Sequence, residues 1–312
     1  MTTDTASYPI IRLGTRRSPL AMAQAREVRE RLCTAHEWPE EAVELVEVQA
    51  SGDKVQDRPL AEIGGKALWT KELDLWLADG TIDAAVHSAK DVETVRPSEL
   101  TFAAVLPRAD RRDSLIGAAS IADLRKGARV GTSAPRRAAQ LLHLRPDLDV
   151  VMFRGNVATR LGKLEEGEAD ATFLAAAGLE RLGESDVGTA LDPSEFLPAA
   201  GQGAIVVEVM AGCEAIDLLK PLDDLTTRLE LMAERALLAG LGGTCHSPVA
   251  VLCEFSDGTL SIEASIFSGD GAERVDGAAE FDAQDTDAPS RLARDLLSRA
   301  TPKIQQHFNG SA

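Results

Sequence analysis

The sequence has no apolar run long enough to cross a membrane, since no stretch approaches eighteen apolar residues. Its start has neither a basic segment nor an apolar core of the kind that forms a signal peptide. The four cysteines form no CxxC pair and have no nearby histidine pattern, which argues against a zinc site and a disulfide framework. We therefore expect a cytoplasmic protein with reduced thiols and no metal.

Positive charge is also scarce, because 33 Lys and Arg residues face 50 Asp and Glu residues, for a formal net charge of -17. Nucleic acids and anionic membranes bind proteins through a basic face that displaces counterions, so we expect neither as a partner. Against this acidic background, local arginine clusters indicate local anion binding or local acidic neighbours. The length of 312 residues, 44% of them hydrophobic, is typical of a globular protein with two or three domains.

Short apolar runs alternate with helical patterns along the first two thirds of the chain. The first such series comprises runs at 10–13, 43–48 and 82–86, with helical patterns from about 18 and at 67–78. The same rhythm restarts after residue 106. This alternation predicts βαβ units and two α/β domains of roughly a hundred residues each.

The pattern changes near residue 224. A predicted helix at 226–238 is followed by three predicted strands and a closing helix, at 249–255, 260–267, 273–281 and 288–306. Sequential strands with flanking helices predict a small α+β third domain. The expected fold class is therefore α/β with three domains and boundaries near 106, 200 and 224.

Three predicted turns between a strand and a helix carry arginine. The candidates are Arg16 and Ser18 in the first turn, Ser133, Arg136 and Arg137 in the second, and Arg154 and Arg160 in the third. One such turn is explained equally well by a capped helix with surface arginines. Three of them together indicate a site for carboxylates or phosphates at the C-terminal ends of parallel strands.

Lys90 and Asp91 follow a predicted apolar strand, so both side chains are expected at the rim of the same site. A carboxylate there can stabilise a developing cation or transfer protons, although a surface Lys–Asp pair is an equally open interpretation. His87 is better explained as a hydrogen-bonded histidine at a strand end. Lys66 lies in a glycine-containing loop that lacks the spacing of a phosphate-binding P-loop.

One cysteine differs from the other three. Cys33, Cys213 and Cys253 lie in or beside helical or apolar patterns, and packing explains them. Cys245 follows the glycine-rich segment 240–244, where an accessible thiolate could react. A plain loop cysteine remains an alternative on this evidence. Residues 198–204, which include Gln202, are interpreted as a flexible crossing between domains.

Taken together, these segments resemble the porphobilinogen deaminase family from residue 11 to about 310. The motifs that carry the resemblance are Gly-Thr-Arg-Arg-Ser-Pro-Leu-Ala at 14–21, Val-His-Ser-Ala-Lys-Asp-Val at 86–92, Val-Gly-Thr-Ser-Ala-Pro-Arg-Arg at 130–137, Arg-Gly-Asn-Val-Ala-Thr-Arg-Leu at 154–161, Ala-Gly-Gln-Gly-Ala at 200–204, and Cys245. They occur in the family's order and approximate spacing, and this combination is specific.

The resemblance implies two lobes similar to periplasmic anion-binding proteins and a small C-terminal domain. The implied domains are 1–106 with 201–223, 107–200, and 224–312. It also implies a monomeric transferase that condenses four porphobilinogen molecules head to tail, with loss of ammonia, and releases hydroxymethylbilane. The implied cofactor is a dipyrromethane joined to Cys245 by a thioether.

The resemblance further implies a role for each candidate residue. Asp91 corresponds to the catalytic aspartate. The implied cofactor contacts are Cys245, Ser18, Lys90, Asp91, Ser133, Arg136 and Arg137, and the implied substrate contacts are Arg16, Lys66, Arg154, Arg160, Arg181 and Gln202.

Three positions depart from the family pattern, namely Glu62, Trp69 and Ala134, of which Ala134 removes one possible hydrogen bond to a cofactor carboxylate. Two other functions stay open. A non-catalytic two-lobed anion-binding protein would explain the arginines, and a Schiff-base enzyme would use Lys90 or Lys66 as its nucleophile.

Overall fold

The structure is a computed structural model that describes residues 8–48, 68–244 and 246–308, without the side chains of residues 68 and 69. Its strands, in chain order, are β1 (Ile11–Arg16), β2 (Val43–Val48), β3 (Ala84–Ser88), β4 (Leu100–Val105), β5 (Asp113–Ile116), β6 (Arg129–Gly131), β7 (Asp149–Val151), β8 (Ala171–Ala175), β9 (Thr189–Ala190), β10 (Ile205–Met210), β11 (Val249–Ser256), β12 (Thr259–Phe267) and β13 (Arg274–Asp282).

The α-helices alternate with these strands. In chain order they are α1 (Pro19–His36), α2 (Leu68–Ala78), α3 (Pro135–Leu144), α4 (Val157–Glu165), α5 (Ala176–Arg181), α6 (Ala215–Leu219), α7 (Leu225–Gly240), α8 (Ala288–Arg299) and α9 (Pro302–Gln305). In the described part of the chain, no helix combines the length and the apolar character needed to span a membrane.

The chain divides into two compact units. The first comprises Met1–Pro107 and Ala204–Leu225, and the second comprises Arg108–Gly203 and Thr226–Ala312. The first unit holds a five-stranded sheet in the order β2-β1-β3-β10-β4. Strand β1 is parallel to β2 and β3, whereas β10 is antiparallel to both β3 and β4. The predicted α/β character of this part is therefore confirmed, with a mixed sheet.

Helix α1 begins as its sequence predicts. The Ser18 hydroxyl accepts a hydrogen bond from the Ala21 backbone N–H at 3.3 Å, and Pro19 occupies the first helical position. Apolar residues at intervals of three or four, including Ala25, Val28 and Leu32, are fully buried. This spacing places them on one face, which packs in the same core cluster as strand residues of the sheet.

The second unit contains two sheets. One has the order β7-β6-β8-β5-β9, in which β6 is parallel to β7 and β8, while β5 is antiparallel to β8 and β9. The other is the antiparallel sheet β11-β12-β13. At Gly277 in β13, an added Cβ would lie 2.9 Å from Leu292 Cδ1, so side chains of α8 pack closely over this glycine.

The predicted closing helix at 288–306 is wrong as a single element. The structure divides it into α8 and α9, with Ala300 between them in an extended conformation. Pro302 begins α9, and the residue before a proline is disfavoured in helical conformation, so the helix ends before Thr301.

A buried ion-pair cluster lies within the second unit. Arg108 donates to Glu234 at 2.6 and 2.8 Å and to Glu230 at 3.2 Å, and Arg111 donates to Glu230 at 3.0 Å. The side chains of Arg108 and Glu234 are only 4% and 2% exposed. Because a buried carboxylate is costly without a partner, this cluster ties the residues that follow 107 to helix α7.

Arg108→Gln is expected to lower the free energy of unfolding by about 3–5 kcal/mol, because Glu234 would stay buried without its cation. Urea denaturation followed by circular dichroism measures this. The control is Arg125→Gln, since the Arg125 side chain is 65% exposed beside Asp170 and its loss should matter much less. Equal effects of the two substitutions would contradict this account.

Candidate functional site

In the first unit, four of the predicted residues lie at the C-terminal ends of two neighbouring strands. Arg16 is the last residue of β1 and Ser18 caps α1. Lys90 and Asp91 lie in a short 3-10 turn, Ala89–Asp91, that follows β3. Because β1 and β3 are adjacent and parallel, these residues follow the same ends of neighbouring strands. The structure thus groups the predicted aspartate with two predicted cations.

Asp91 is solvent-exposed in this unit, whereas Lys90 and Arg16 are half-buried. The backbone N–H of Ala89 donates to the Ala204 carbonyl at 3.0 Å, so the turn is attached to the residue that precedes β10. The Gln24 side chain of α1 donates to Ser88 Oγ at 2.8 Å. These contacts hold the end of β3 against α1 and β10, and present Asp91 at the surface of the unit.

In the second unit, Ser133, Arg136 and Arg137 lie at the start of α3, as predicted. Ala134 is the N-cap residue and its side chain caps nothing, whereas Thr132 Oγ1 accepts from the Ala134 backbone N–H at 3.1 Å. Ser133 is exposed, but Arg136 and Arg137 are both buried. The two arginines therefore need a buried counter-charge.

Asp113, the first residue of β5, supplies that counter-charge. Its carboxylate accepts from Arg137 Nε at 3.0 Å and Nη2 at 2.6 Å, and its other oxygen lies 2.7 Å from Arg136 Nη2. Burial opposes its ionisation, but Arg136 and Arg137 outweigh burial and lower the pKa of Asp113 to about 2. Two guanidinium charges against one carboxylate leave this cluster with an excess positive charge.

Gln202 belongs to the same cluster. It is buried, and its Nε2 donates to Asp113 at 3.0 Å and to the Arg111 carbonyl at 2.9 Å. Arg181, at the end of α5, donates to the Gly203 carbonyl at 3.3 Å. The backbone N–H of Gly201 donates to Glu234 at 2.7 Å. Gln202 and Arg181, which we predicted as substrate contacts, therefore help to hold the segment 201–203 in place.

Arg154 and Arg160 flank the start of α4, where Asn156 accepts a capping hydrogen bond from the Thr159 backbone N–H at 2.8 Å. Arg160 Nε donates to the Gly155 carbonyl at 3.1 Å. Gly155 has a φ of 119°, and an added Cβ would lie 2.5 Å from Thr159 Cγ2. Glycine is therefore favoured here by the backbone conformation and by the closeness of Thr159.

Lys66 and Cys245 lie outside the described residues, as do 49–67. Two of the described cysteines, Cys33 and Cys253, are poorly suited to nucleophilic attack. Burial, with the nearby charges of Glu234 and Glu230, raises the pKa of Cys253, and burial also raises the pKa of Cys33. Since the thiolate is the reactive form, neither is a good anchor for a cofactor.

The sequence did not indicate Asp113. It lies 24 positions from Arg137 and in a stretch with other acidic residues, so no local pattern distinguished it. The only available signal was the pair of adjacent arginines, whose charge requires a carboxylate if both are buried.

Two family models match the chain. The model described as porphobilinogen deaminase, dipyromethane cofactor binding domain, matches residues 11–217, and the model described as porphobilinogen deaminase, C-terminal domain, matches residues 228–298. The chain belongs to the porphobilinogen deaminase family. The predicted family and the predicted dipyrromethane cofactor are thereby confirmed, as is the assignment to an enzyme family of the transferase class.

Curated relatives agree with the porphobilinogen deaminase family assignment. The chain is 53% identical over 305 residues to the porphobilinogen deaminase of Sphingopyxis alaskensis and 46% identical over 304 residues to that of Nitrobacter winogradskyi, with 96% of each chain covered. Among solved structures, the VFT2 domain of BvgS from Bordetella pertussis is 19% identical, with a TM-score of 0.41 over 73% of this chain and 93% of that domain. At that score the structural likeness says nothing about function.

The residues present fit the cofactor of the porphobilinogen deaminase family. A dipyrromethane carries acetate and propionate carboxylates, and arginines with hydroxyls at helix starts are suitable donors for them. Arg154 Nη1 is buried and has no hydrogen-bond partner within residues 8–48, 68–244 and 246–308. Such a donor is costly to leave unsatisfied, and a cofactor carboxylate is a suitable acceptor for it.

Asp113→Asn is expected to cost about 3–5 kcal/mol of unfolding free energy at neutral pH, because Arg136 and Arg137 would lose their counter-charge. The folded-state pKa of Asp113 is about 2 and its ordinary value is 3.8. Its stabilisation is therefore present above pH 4 and is lost as the pH falls from about 4 to 2. Urea midpoints of the variant should decline less steeply than those of the wild type over that range.

The matched control is Asp147→Asn, since Asp147 is paired with Arg145 near the surface. This variant should lose less stability at neutral pH than Asp113→Asn. If Asp113→Asn were as stable as the wild type, the buried cluster would not need its carboxylate and our description of it would be wrong.

Proposed function

We propose that this protein catalyses the head-to-tail condensation of four porphobilinogen molecules, with loss of ammonia, and releases hydroxymethylbilane by hydrolysis. This is the hydroxymethylbilane synthase reaction of tetrapyrrole biosynthesis. The observation that carries the proposal is the exposed carboxylate of Asp91, which follows β3 at the strand ends where Arg16 also lies. The family assignment supplies the reaction, and these strand ends supply a group suited to its central charge.

Asp91 is the proposed catalytic residue. Porphobilinogen loses ammonia to form a cation, which arginines and lysines alone would disfavour. A carboxylate at that point lowers the energy of the cation, accepts hydrogen bonds from the pyrrole N–H groups, and can assist removal of the ring proton. When bound, the dipyrromethane supplies the pyrrole α-carbon to which the first substrate unit is joined.

The cations around Asp91 have a different proposed role. Arg16 and Lys90, with the Ser18 hydroxyl at the start of α1, bind carboxylates of the cofactor and substrate. Each pyrrole carries two carboxylates, so a growing chain of pyrroles requires repeated cationic sites. In this proposal Asp91 stabilises the reacting cation, and the cationic side chains bind the carboxylates.

In the second unit, we propose that Ser133, Arg136 and Arg137 contact the cofactor. The excess positive charge of the Arg136, Arg137 and Asp113 cluster supports this role. The proposed substrate contacts are Arg154, Arg160, Arg181 and Gln202, together with Lys66. The buried Nη1 of Arg154, which donates to no partner in the described part of the chain, supports its place among them.

Cys245 is the proposed anchor for the dipyrromethane, through a thioether. Support comes from the raised thiol pKa values of Cys33 and Cys253, which make those thiols less reactive. We further propose a monomer in the cytoplasm that acts on a small molecule without a nucleic-acid or membrane partner. The proposed domains are 1–106 with 201–223, 107–200, and 224–312.

Asp91→Asn is expected to lower kcat for porphobilinogen consumption by about 10²-fold or more, since the amide has neither the charge nor the basicity of the carboxylate. Ammonia release and product formation are measured together, and the wild type should release four ammonia molecules for each hydroxymethylbilane. Asp83→Asn is the control, because Asp83 precedes the same strand at its opposite end, where it is paired with Arg12. Equal kcat values for the wild type and Asp91→Asn would remove Asp91 from the chemistry.

A further inference from the structure

A charged cluster surrounds the buried side chain of Arg96, in the segment that follows the turn carrying Asp91, and none of the site residues above belongs to it. We call it the Arg96 cluster; it comprises Arg96, Asp74, Glu93 and Glu208. Arg96 donates to both carboxylate oxygens of Glu208, from Nε at 2.9 Å and from Nη2 at 2.8 Å. It also donates to Asp74 at 2.5 Å and to Glu93 at 2.8 Å.

Three parts of the first unit meet in the Arg96 cluster. Glu208 lies on β10, between β3 and β4, and its side chain is 1% exposed. Asp74 lies on α2, and Glu93 lies two residues after Asp91. The guanidinium of Arg96 therefore joins an interior strand of the sheet and α2 to the chain segment that carries Asp91.

The segment from 92 to 97 forms neither helix nor strand, so side-chain contacts contribute strongly to its position. The side chain of Arg96 is itself only 8% exposed. The pairing of β10 with β4 shifts register between Val207 and Glu208, which is an irregularity of the kind that re-aims a side chain. Glu208 is thus a fixed, buried anchor for Arg96.

We propose that Arg96 is a positioning residue: by joining Glu208 to the segment that follows Asp91, it determines where the Asp91 carboxylate lies. The proposal rests on the role of Asp91 proposed above. Arg96 does not contact reacting atoms in this account. Its effect on the reaction is transmitted through the position of residues 89–93.

His87 gives an electrostatic readout of the same cluster. Its Nε2 lies 3.6 Å from Glu208, and the side chain is buried on β3. Burial and, after it, the charge of Arg96 lower the pKa of His87 to about 4. Among the surrounding groups, Arg16 also lowers this pKa, whereas Asp74 and Asp91 raise it.

Arg96 stays protonated. Burial opposes its charge, but its hydrogen bonds to Glu208 and Asp74 outweigh burial and raise the pKa of Arg96. If that charge is removed, the carboxylates of Asp74, Glu93 and Glu208 lose their cation, and Asp74 and Glu208 lie close to His87. His87 should then take up a proton more readily, and its pKa should rise toward its ordinary value of 6.5. This rise reports the loss of the Arg96 charge, whereas amide exchange at residues 89–93 reports the position of that segment.

The test is Arg96→Gln in the full-length protein. Backbone amides of residues 89–93 should exchange with deuterium about tenfold faster or more, because hydrogen bonds to charged groups are lost. kcat should fall about 10–100-fold with a smaller change in KM, since a displaced catalytic group slows the reaction more than it weakens binding. The His87 pKa, measured by NMR of its ring, should rise.

Two further variants separate charge from geometry. Arg96→Lys keeps the charge but cannot form the paired contact to Glu208, so the His87 pKa should stay low while amide exchange still increases. Arg12→Gln is the matched control, since Arg12 forms a similar paired contact with Asp83 near the start of β3. It should leave residues 89–93, the His87 pKa and kcat unchanged.

The proposal is overturned if folded Arg96→Gln shows wild-type amide exchange at 89–93 and wild-type kcat. If Arg96→Gln does not fold, Glu93→Gln removes one contact of the cluster from a side chain that is 28% exposed, and it should raise exchange at 89–93 to a smaller extent. No rise in that variant would also overturn the proposal. If the wild type neither carries the cofactor nor consumes porphobilinogen, the proposed function fails, while amide exchange at residues 89–93 still tests whether Arg96 positions that segment.

Discussion

The pairing of buried arginines with buried carboxylates is the interaction on which both units depend. Asp113 lies between Arg136 and Arg137, and Glu208 holds Arg96. In each case a charge that would be costly to bury alone is compensated by hydrogen bonds from a planar guanidinium. Both clusters lie beside chain segments that carry proposed site residues. We therefore expect a loss of either buried charge to shift the neighbouring segment that carries proposed site residues.

The reaction places opposite demands on such a protein. A substrate rich in carboxylates favours arginine, whereas the cation formed on loss of ammonia favours a carboxylate. In the first unit, the exposed Asp91 follows β3 and Arg16 ends β1, so the two kinds of charge are carried by adjacent strands. The acidic composition of the chain, with a net charge of -17, makes these local cations specific features and not part of a general basic surface.

Local features of the sequence predicted much of this arrangement. Ser18 before Pro19 predicted the start of α1, and the strand before Lys90 predicted that Asp91 would lie at a strand end. The contacts of Asp113 and Arg96 were not predictable, because Arg96 and Glu208 are 112 positions apart and meet only when β10 pairs with β3. About a hundred residues separate β4 from β10, and the hydrophobic periodicity of the sequence does not show that these two strands pair. For the same reason, the sequence did not show that Arg136, Arg137 and Gln202 all meet Asp113.

The most direct test of the central claim, that this chain builds its product on a dipyrromethane attached to Cys245, is the intact mass of the purified protein beside Cys245→Ser. The wild type should be heavier than its sequence mass by one dipyrromethane, and the variant should show no such addition. A wild type that remains unmodified after expression with ample porphobilinogen would contradict the account and favour a non-catalytic anion-binding protein.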